Sequence, residues 1–139
     1  MKTQAKILTI EDEPPIRSGI VTYLEDSGFT MLEANDGPSG LEIFRREHPD
    51  VVLCDLRLPG MDGLEVLSTI TAESPETPVI IVSGVSLLVY AVQALKRGAW
   101  DYVTKPIHDM AVLESAVRRV LEHADLLRQN REYRENLER

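Results

Sequence analysis

Read only for apolar and polar positions, the chain alternates short apolar runs with longer amphipathic stretches. Lys6–Ile10 (KILTI) is mostly apolar and stops at Glu11-Asp12-Glu13, which predicts a short strand. Pro14-Pro15 then opens a helix, because a proline in the first turn gives up an N–H that has no intrahelical partner. Ile16, Ile20 and Leu24 recur at helical spacing and give that helix a core face, and Gly28 fits its stop after about Ser27. Residues 29–34 predict a second strand. Asn35-Asp36-Gly37 turns into a helix over 38–47, with Leu41 and Phe44 directed inward. Val51–Cys54 (VVLC) is an uninterrupted apolar run, as suits a strand buried on both faces. It ends in Asp55, and Pro59-Gly60 and Asp62-Gly63 mark a loop beyond it.

The second half repeats the pattern. A helix over 64–72 carries Leu64, Leu67 and Ile70 on its apolar face, and Pro78 introduces a strand over 79–82 that ends in Ser83-Gly84. A helix over 86–97, opening at Ser86 and ending at Arg97, closes at Gly98. A short strand over 100–103 ends in Thr104-Lys105-Pro106, and a long helix starts near Asp109 with no Pro or Gly through Arg139. Strand and helix thus alternate five times with short connections, which implies a parallel sheet covered by helices on both faces. Right-handed crossovers lead to an α/β, flavodoxin-like (βα)5 doubly wound sheet of order 2-1-3-4-5, with an extended C-terminal helix.

Composition narrows the setting. At 139 residues the chain supports one domain with a real core and an appendage, divided here into 1–122 and a helical segment 123–139. A net charge of −8 argues against a nucleic-acid-binding surface on this piece. The single cysteine, Cys54, precludes an internal disulfide and reads as a small buried hydrophobe. The N-terminal apolar run is too short for a signal peptide, and the most apolar region, 79–95, is interrupted by Ser83-Gly84; a soluble, cytoplasmic protein is expected.

Candidate chemistry follows from the fold. In such a sheet the carboxyl ends of strands one, three, four and five meet along one edge, where open α/β sheets hold ligands. That edge collects Glu11 and Asp12, Asp55, Ser83, and Lys105 respectively. Each has a plain structural alternative: negative charge at a helix N-terminus for Glu11-Asp12-Glu13, a cap for Asp55, a turn residue for Ser83, a solvated strand end for Lys105. Their coincidence at four strand ends is hard to reach by chance. Three adjacent carboxylates repel, and a hard divalent cation such as Mg²⁺ relieves this. Lys105 adds positive charge and Ser83 a hydroxyl for an oxyanion, which favours phosphoryl transfer to Asp55 as nucleophile. His48, His108 and His123 have no ligand spacing and are assigned to the surface or to helices.

This set, with the flanking strings DLRLPGMDGLEVL, TPVIIVSG and GAWDYVTKP, resembles the receiver (phosphoacceptor) domain of bacterial two-component response regulators over residues 6–121. The resemblance implies that Asp55 takes a phosphoryl group from a histidine kinase's phosphohistidine with Mg²⁺ required. By position, Asp12 binds the metal directly, Glu11 mostly through water, and the Arg57 carbonyl completes the protein ligands. Ser83 and Lys105 contact the phosphoryl group, Tyr102 matches the family's switch aromatic, and Lys105-Pro106 matches a peptide that is usually cis. The implied protein is a switch and not an enzyme in the ordinary sense, with a sensor kinase or phosphotransfer protein as donor. Departures are Glu-Asp in place of the commoner Asp-Asp, Ser83 in place of threonine, and Arg57 and Val85 at variable flanking positions.

Two features bear on output. Leu88, Val92 and Leu95 make one stripe on the helix 86–97 while Leu87 and Tyr90 lie off it, so this helix either presents an apolar partner surface or is covered by its neighbour. Leu126, Asn130, Tyr133 and Leu137 fall at alternating four- and three-residue steps, which reads as a short coiled-coil seam or a solvated helix. The tail is expected to continue as a linker to an output domain, with a homodimer as one use. Three rivals remain at this level. A haloacid-dehalogenase-type phosphatase wants an acid two positions after the nucleophile, where Arg57 stands. A flavin binder wants Gly, Ser or Thr where Glu11-Asp12-Glu13 stands. The third is a purely structural dimerisation module using the tail.

Overall fold

The computed structural model describes residues 4–84 and 88–138. Five strands, β1 (Lys6–Ile10), β2 (Thr30–Ala34), β3 (Val51–Cys54), β4 (Val79–Ser83) and β5 (Asp101–Thr104), alternate with five helices, α1 (Pro14–Asp26), α2 (Gly37–Glu47), α3 (Gly63–Glu73), α4 (Leu88–Lys96) and α5 (Met110–Leu137). The strands form one parallel sheet of order β2-β1-β3-β4-β5, as the alternating pattern predicts.

The sheet buries both faces, so its central strands are apolar at successive positions. Val52 and Cys54 of β3 face one side with Val79 and Ile81 of β4, against Leu41 and Phe44 of α2 and Val66, Leu67 and Ile70 of α3. Val51 and Leu53 face the other with Ile80 and Val82, against Ile20 and Leu24 of α1 and Leu113, Ala116, Val117 and Val120 of α5. Cys54 is a buried hydrophobe whose thiol is pushed far up, first by burial and then by the charge of Asp55 and Glu11.

Helix starts use local polar chemistry. The carboxylates of Asp36, Asp62 and Asp109 accept from the backbone N–H groups of Ser39, Glu65 and Ala111 at 2.8, 2.9 and 3.0 Å, satisfying donors that the first turn leaves unpaired. Two strand starts shift from the sequence expectation. Phe29 does not join β2, because its N–H turns back to the Leu24 carbonyl in the α1 stop (3.1 Å). Trp100 precedes β5, although its N–H already donates to Val79 O at 2.8 Å. Val85, Ser86, Leu87 and Arg139 lie outside the described residues, so α4 is described from Leu88 and α5 to Leu137.

The neighbouring helices leave the described part of α4 largely uncovered. Leu88 is 77% exposed and Leu95 52%, Val89, Tyr90 and Val92 are also exposed, and Ala94 alone among the helix's described residues is buried. The last buried residue of α5 is Val120, Leu121 still packs against the core, and beyond it Leu126, Tyr133 and Leu137 are exposed. His123, assigned only to a helix surface, meets the Trp100 ring edge-on at 5.4 Å between centroids. His48 closes α2 in the left-handed region (φ 50°). No described helix is long and apolar enough to cross a membrane.

Candidate functional site

The sheet ladders assemble the site. The Glu11 N–H donates to the Ala34 carbonyl at 3.0 Å, Asp55 N–H to Ile10 O at 3.1 Å, and Lys105 N–H to Ser83 O at 2.8 Å. Each backbone hydrogen bond continues a strand pairing by one residue, so Glu11, Asp55, Ser83 and Lys105 emerge side by side at the carboxyl edge.

The side chains converge there. Lys105 Nζ donates to Glu11 Oε1 at 2.8 Å and to Asp55 Oδ2 at 2.9 Å. The backbone N–H of Glu13 donates to Glu11 Oε2 at 3.2 Å, and that of Arg57 to Asp55 Oδ1 at 3.2 Å. Glu11, Asp55 and Ser83 are buried, whereas Asp12 is exposed and Arg57 directs its side chain to solvent. Tyr102 is half-buried, and its hydroxyl interacts with the Ser83 side chain. The Lys105–Pro106 peptide is cis.

Electrostatics at the edge follow from burial and pairing. Burial, supported by the neighbouring Asp55 charge, holds the Glu11 carboxyl above its ordinary value, although Lys105 and the Glu13 N–H pull the other way. Burial acts to lower Lys105, yet its hydrogen bonds to Glu11 and Asp55 outweigh that and hold the ammonium above its ordinary value. The lysine is therefore charged and serves here as the cation that two buried carboxylates need.

One carboxylate oxygen from each of Glu11, Asp12 and Asp55 lies within 4.8 Å of the others. All are hard oxygen donors at a spacing one small divalent ion can span, and one of the three faces solvent. The donor set therefore fits Mg²⁺ in kind and in access.

The loop after Asp55 closes tightly. Gly60 takes φ 76°, and the Gly63 N–H donates to Leu56 O at 2.7 Å. A Cβ at Gly63 would stand 2.0 Å from the Asp55 carbonyl oxygen. Sequence reasoning noted Gly63 only as a turn marker and passed over Arg17, whose Nη1 donates to the Glu11 carbonyl at 2.7 Å. A cation in the first turns of a helix that follows three acidic residues was the available signal, since the helix dipole disfavours it there. A groove of about 710 Å³ lies at the opposite, amino edge of the sheet beside Trp100, Pro49 and Pro78, away from this chemistry.

A doubly wound sheet with an acidic cluster, a lysine and a hydroxyl at its carboxyl edge defines a class of α/β protein whose edge donors fit a divalent cation. Residues 7–118 match the response regulator receiver domain family, and the chain belongs to it. It is 43% identical over 121 residues to the transcriptional regulatory protein CseB of Streptomyces coelicolor, covering 87% of this chain and 51% of that protein. With the regulatory protein AtoC of Escherichia coli it shares 39% identity over 117 residues, 84% of this chain and 25% of that one. A receiver domain protein of Clostridium thermocellum superposes with a TM-score of 0.84 at 35% identity, covering 88% of this chain and 98% of that one. NtrX of Brucella abortus gives 0.89 at 34% identity, covering 94% and 30%. The chain thus spans about half of CseB and a quarter of AtoC. It is a receiver domain of two-component signal transduction, a phosphoacceptor switch in class, and its acidic pocket of Glu11, Asp12 and Asp55 is consistent with a phosphoacceptor site.

Proposed function

We propose that Asp55 accepts a phosphoryl group from the phosphohistidine of a sensor histidine kinase or phosphotransfer protein, in a Mg²⁺-dependent reaction. The observation that carries this reading is the Asp55 carboxylate itself. It is buried at the end of a central strand, paired with Lys105 on one side and crowded by Glu11 and Asp12 on the other.

The Asp12 and Asp55 carboxylates and the Arg57 carbonyl would hold Mg²⁺, with Glu11 as a more distant partner. The ion, when bound, offsets negative charge on the transferring phosphoryl group. An Asp55 oxygen attacks phosphorus while the imidazole nitrogen leaves, so one P–O bond forms as one P–N bond breaks. Lys105 moves its hydrogen bonds from the carboxylates to a phosphoryl oxygen, and the Ser83 hydroxyl donates to another. Ser83 must then give up Tyr102, whose ring follows the vacated space. The domain catalyses only its own phosphorylation and slow dephosphorylation.

The acyl phosphate carries about −1.5 to −2 charges where the Asp55 carboxylate carried one, and this change biases the exposed α4 face and the α5 extension. Residues 1–122 form the receiver unit, and 123–139 a helical linker toward an output domain or protein partner, with a coiled-coil homodimer as one arrangement. The end of α5 burial at Val120 and the greater length of CseB and AtoC support this division. The net charge of −8 supports an output that does not run through nucleic-acid binding by this segment, and a cytoplasmic location fits a kinase-fed switch.

The test is intact mass after incubation with Mg²⁺ and acetyl phosphate. One phosphoryl adduct is expected, absent without Mg²⁺ and absent in Asp55→Asn, which still folds. An adduct of equal yield in Asp55→Asn refutes the site. If no adduct forms, a beryllofluoride titration that leaves the spectrum of the wild type unchanged refutes it equally.

A further inference from the structure

Arg17 sits poorly for a helix residue and well for something else. It lies just inside the N-terminus of α1, where the helix dipole disfavours a cation, and the first turn carries no acidic residue to offset it. Its guanidinium folds back over the β1–α1 loop. Nη1 donates to the Glu11 carbonyl at 2.7 Å, and Nε donates to Glu33 Oε1 at 3.0 Å. The Arg17 side chain is only 19% exposed against 53% for Glu33.

The carbonyl it holds belongs to the peptide that joins Glu11 to Asp12. The N–H of Glu11 is already fixed to Ala34, the residue next to Glu33. Both backbone polar groups of Glu11 are therefore tied to the end of β2, one directly and one through Arg17. Asp12 is exposed, so the direction in which its carboxylate leaves the chain is set largely by that peptide.

We infer that Arg17, tethered by Glu33, is a positioning residue for the metal site: it fixes the Glu11–Asp12 peptide so that both carboxylates converge with Asp55 before a divalent cation arrives. The inference rests on reading Glu11, Asp12 and Asp55 as a Mg²⁺ site. Charge alone predicts the opposite sign. A guanidinium near the cluster repels an incoming cation, and removing it should tighten binding. Orienting partners outside the direct ligands raise metal affinity, and losing one weakens it.

The experiment is an amide chemical-shift titration of the full chain with MgCl₂, for wild type, Arg17→Ala, Arg17→Lys and Glu33→Gln. Positioning predicts Mg²⁺ binding weaker by about tenfold in Arg17→Ala. Arg17→Lys is expected to fail to rescue it, because an ammonium keeps the charge but lacks the rigid fork that bridges two acceptors. Phosphorylation from acetyl phosphate recovers in the variants when Mg²⁺ is raised, a split that general loss of structure would not produce. Glu33→Gln leaves Arg17 in place but loosens its tether, and shows a smaller loss in the same direction; it carries the test if Arg17→Ala does not fold. Unchanged or tighter binding in Arg17→Ala, wild-type binding in Arg17→Lys, or no change in Glu33→Gln overturns the inference while the Mg²⁺ reading stands. A wild type that shows no Mg²⁺-dependent shifts overturns both.

Discussion

Lys105 Nζ stands 2.9 Å from Asp55 Oδ2, a contact between residues 50 positions apart in the chain. Both side chains are nearly buried, at 10% and 6% exposure, and the same ammonium holds Glu11 at 2.8 Å. The contact gives the lysine two tasks. It balances buried negative charge in the resting domain, and it already stands beside the carboxylate proposed to accept the phosphoryl group.

Replacing Lys105 with methionine keeps the stem and removes the charge. Two buried carboxylates then face each other unpaired, which costs about 3–5 kcal/mol when a buried pair is broken from one side. Urea unfolding in EDTA should show that loss, and added Mg²⁺ should restore more stability to Lys105→Met than it adds to the wild type. Equal stability of the two proteins in EDTA would mean the ion pair contributes nothing net.

Glu11 sets a pH dependence. Its carboxyl is held above the ordinary value of 4.5, first by burial. The folded protein therefore binds this proton more tightly than the unfolded chain does. The corresponding stability is fully present below the unfolded value and is lost as pH rises through the raised folded value. Without Mg²⁺, Glu11→Gln should abolish that component, so wild-type thermal stability falls relative to the variant as pH rises from 4.5 toward neutrality. Melting curves that stay parallel across the range would contradict this.

Two glycine substitutions should act in opposite directions. A Cβ at Gly63 would stand 2.0 Å from Asp55 O and 2.6 Å from Leu56 Cα, both backbone atoms that cannot swing away. Gly63→Ala is expected to cost about 1–3 kcal/mol by overpacking and to slow phosphorylation, since the displaced backbone carries Asp55. Gly19 has nothing within 4 Å of its Cβ direction and lies inside α1. Gly19→Ala should stabilise by about 0.5–1 kcal/mol without changing phosphorylation. Denaturant midpoints and acetyl phosphate labelling rates check both.

The α4 face should be replaceable without harm to the fold. Leu88→Ser and Leu95→Ser remove side chains that are 77% and 52% exposed, and each should shift stability by no more than about 0.5 kcal/mol. Leu113→Ala, fully buried against the sheet, should cost about 2–5 kcal/mol. A large destabilisation by either serine would show that the face is covered in solution. A second copy is then the first occupant to test, by sedimentation.

The fold was legible because its signals are local. Apolar runs such as Val51–Cys54 and residues 79–82, punctuated by Asp62-Gly63, Pro78 and Gly98, mark strands and turns whatever the rest of the chain does, and alternation with helices then restricts the topology. Boundaries such as Phe29 slipped because a helix stop and a strand start compete for the same N–H, and only the observed bond to Leu24 decides between them. That Glu11, Asp12, Asp55, Ser83 and Lys105 share one edge was legible for the same reason, since each lies at or just beyond a strand end.

Charge state and partner choice were not legible, since both depend on three-dimensional neighbours. That Lys105 bridges Glu11 and Asp55, that Arg17 reaches back to the Glu11 carbonyl, and that Gly63 presses on the Asp55 carbonyl are contacts set by register and loop closure. The exposure of α4 is of the same kind. Its apolar composition would serve equally for a covered or an uncovered helix, and local pattern establishes only that the helix and its apolar positions exist. Tertiary packing decided which side chain enters the core, and there the small Ala94 is buried while the larger Leu88 and Leu95 stay outside. Periodicity specifies which residues share a face, but what lies opposite that face depends on where the rest of the chain has packed.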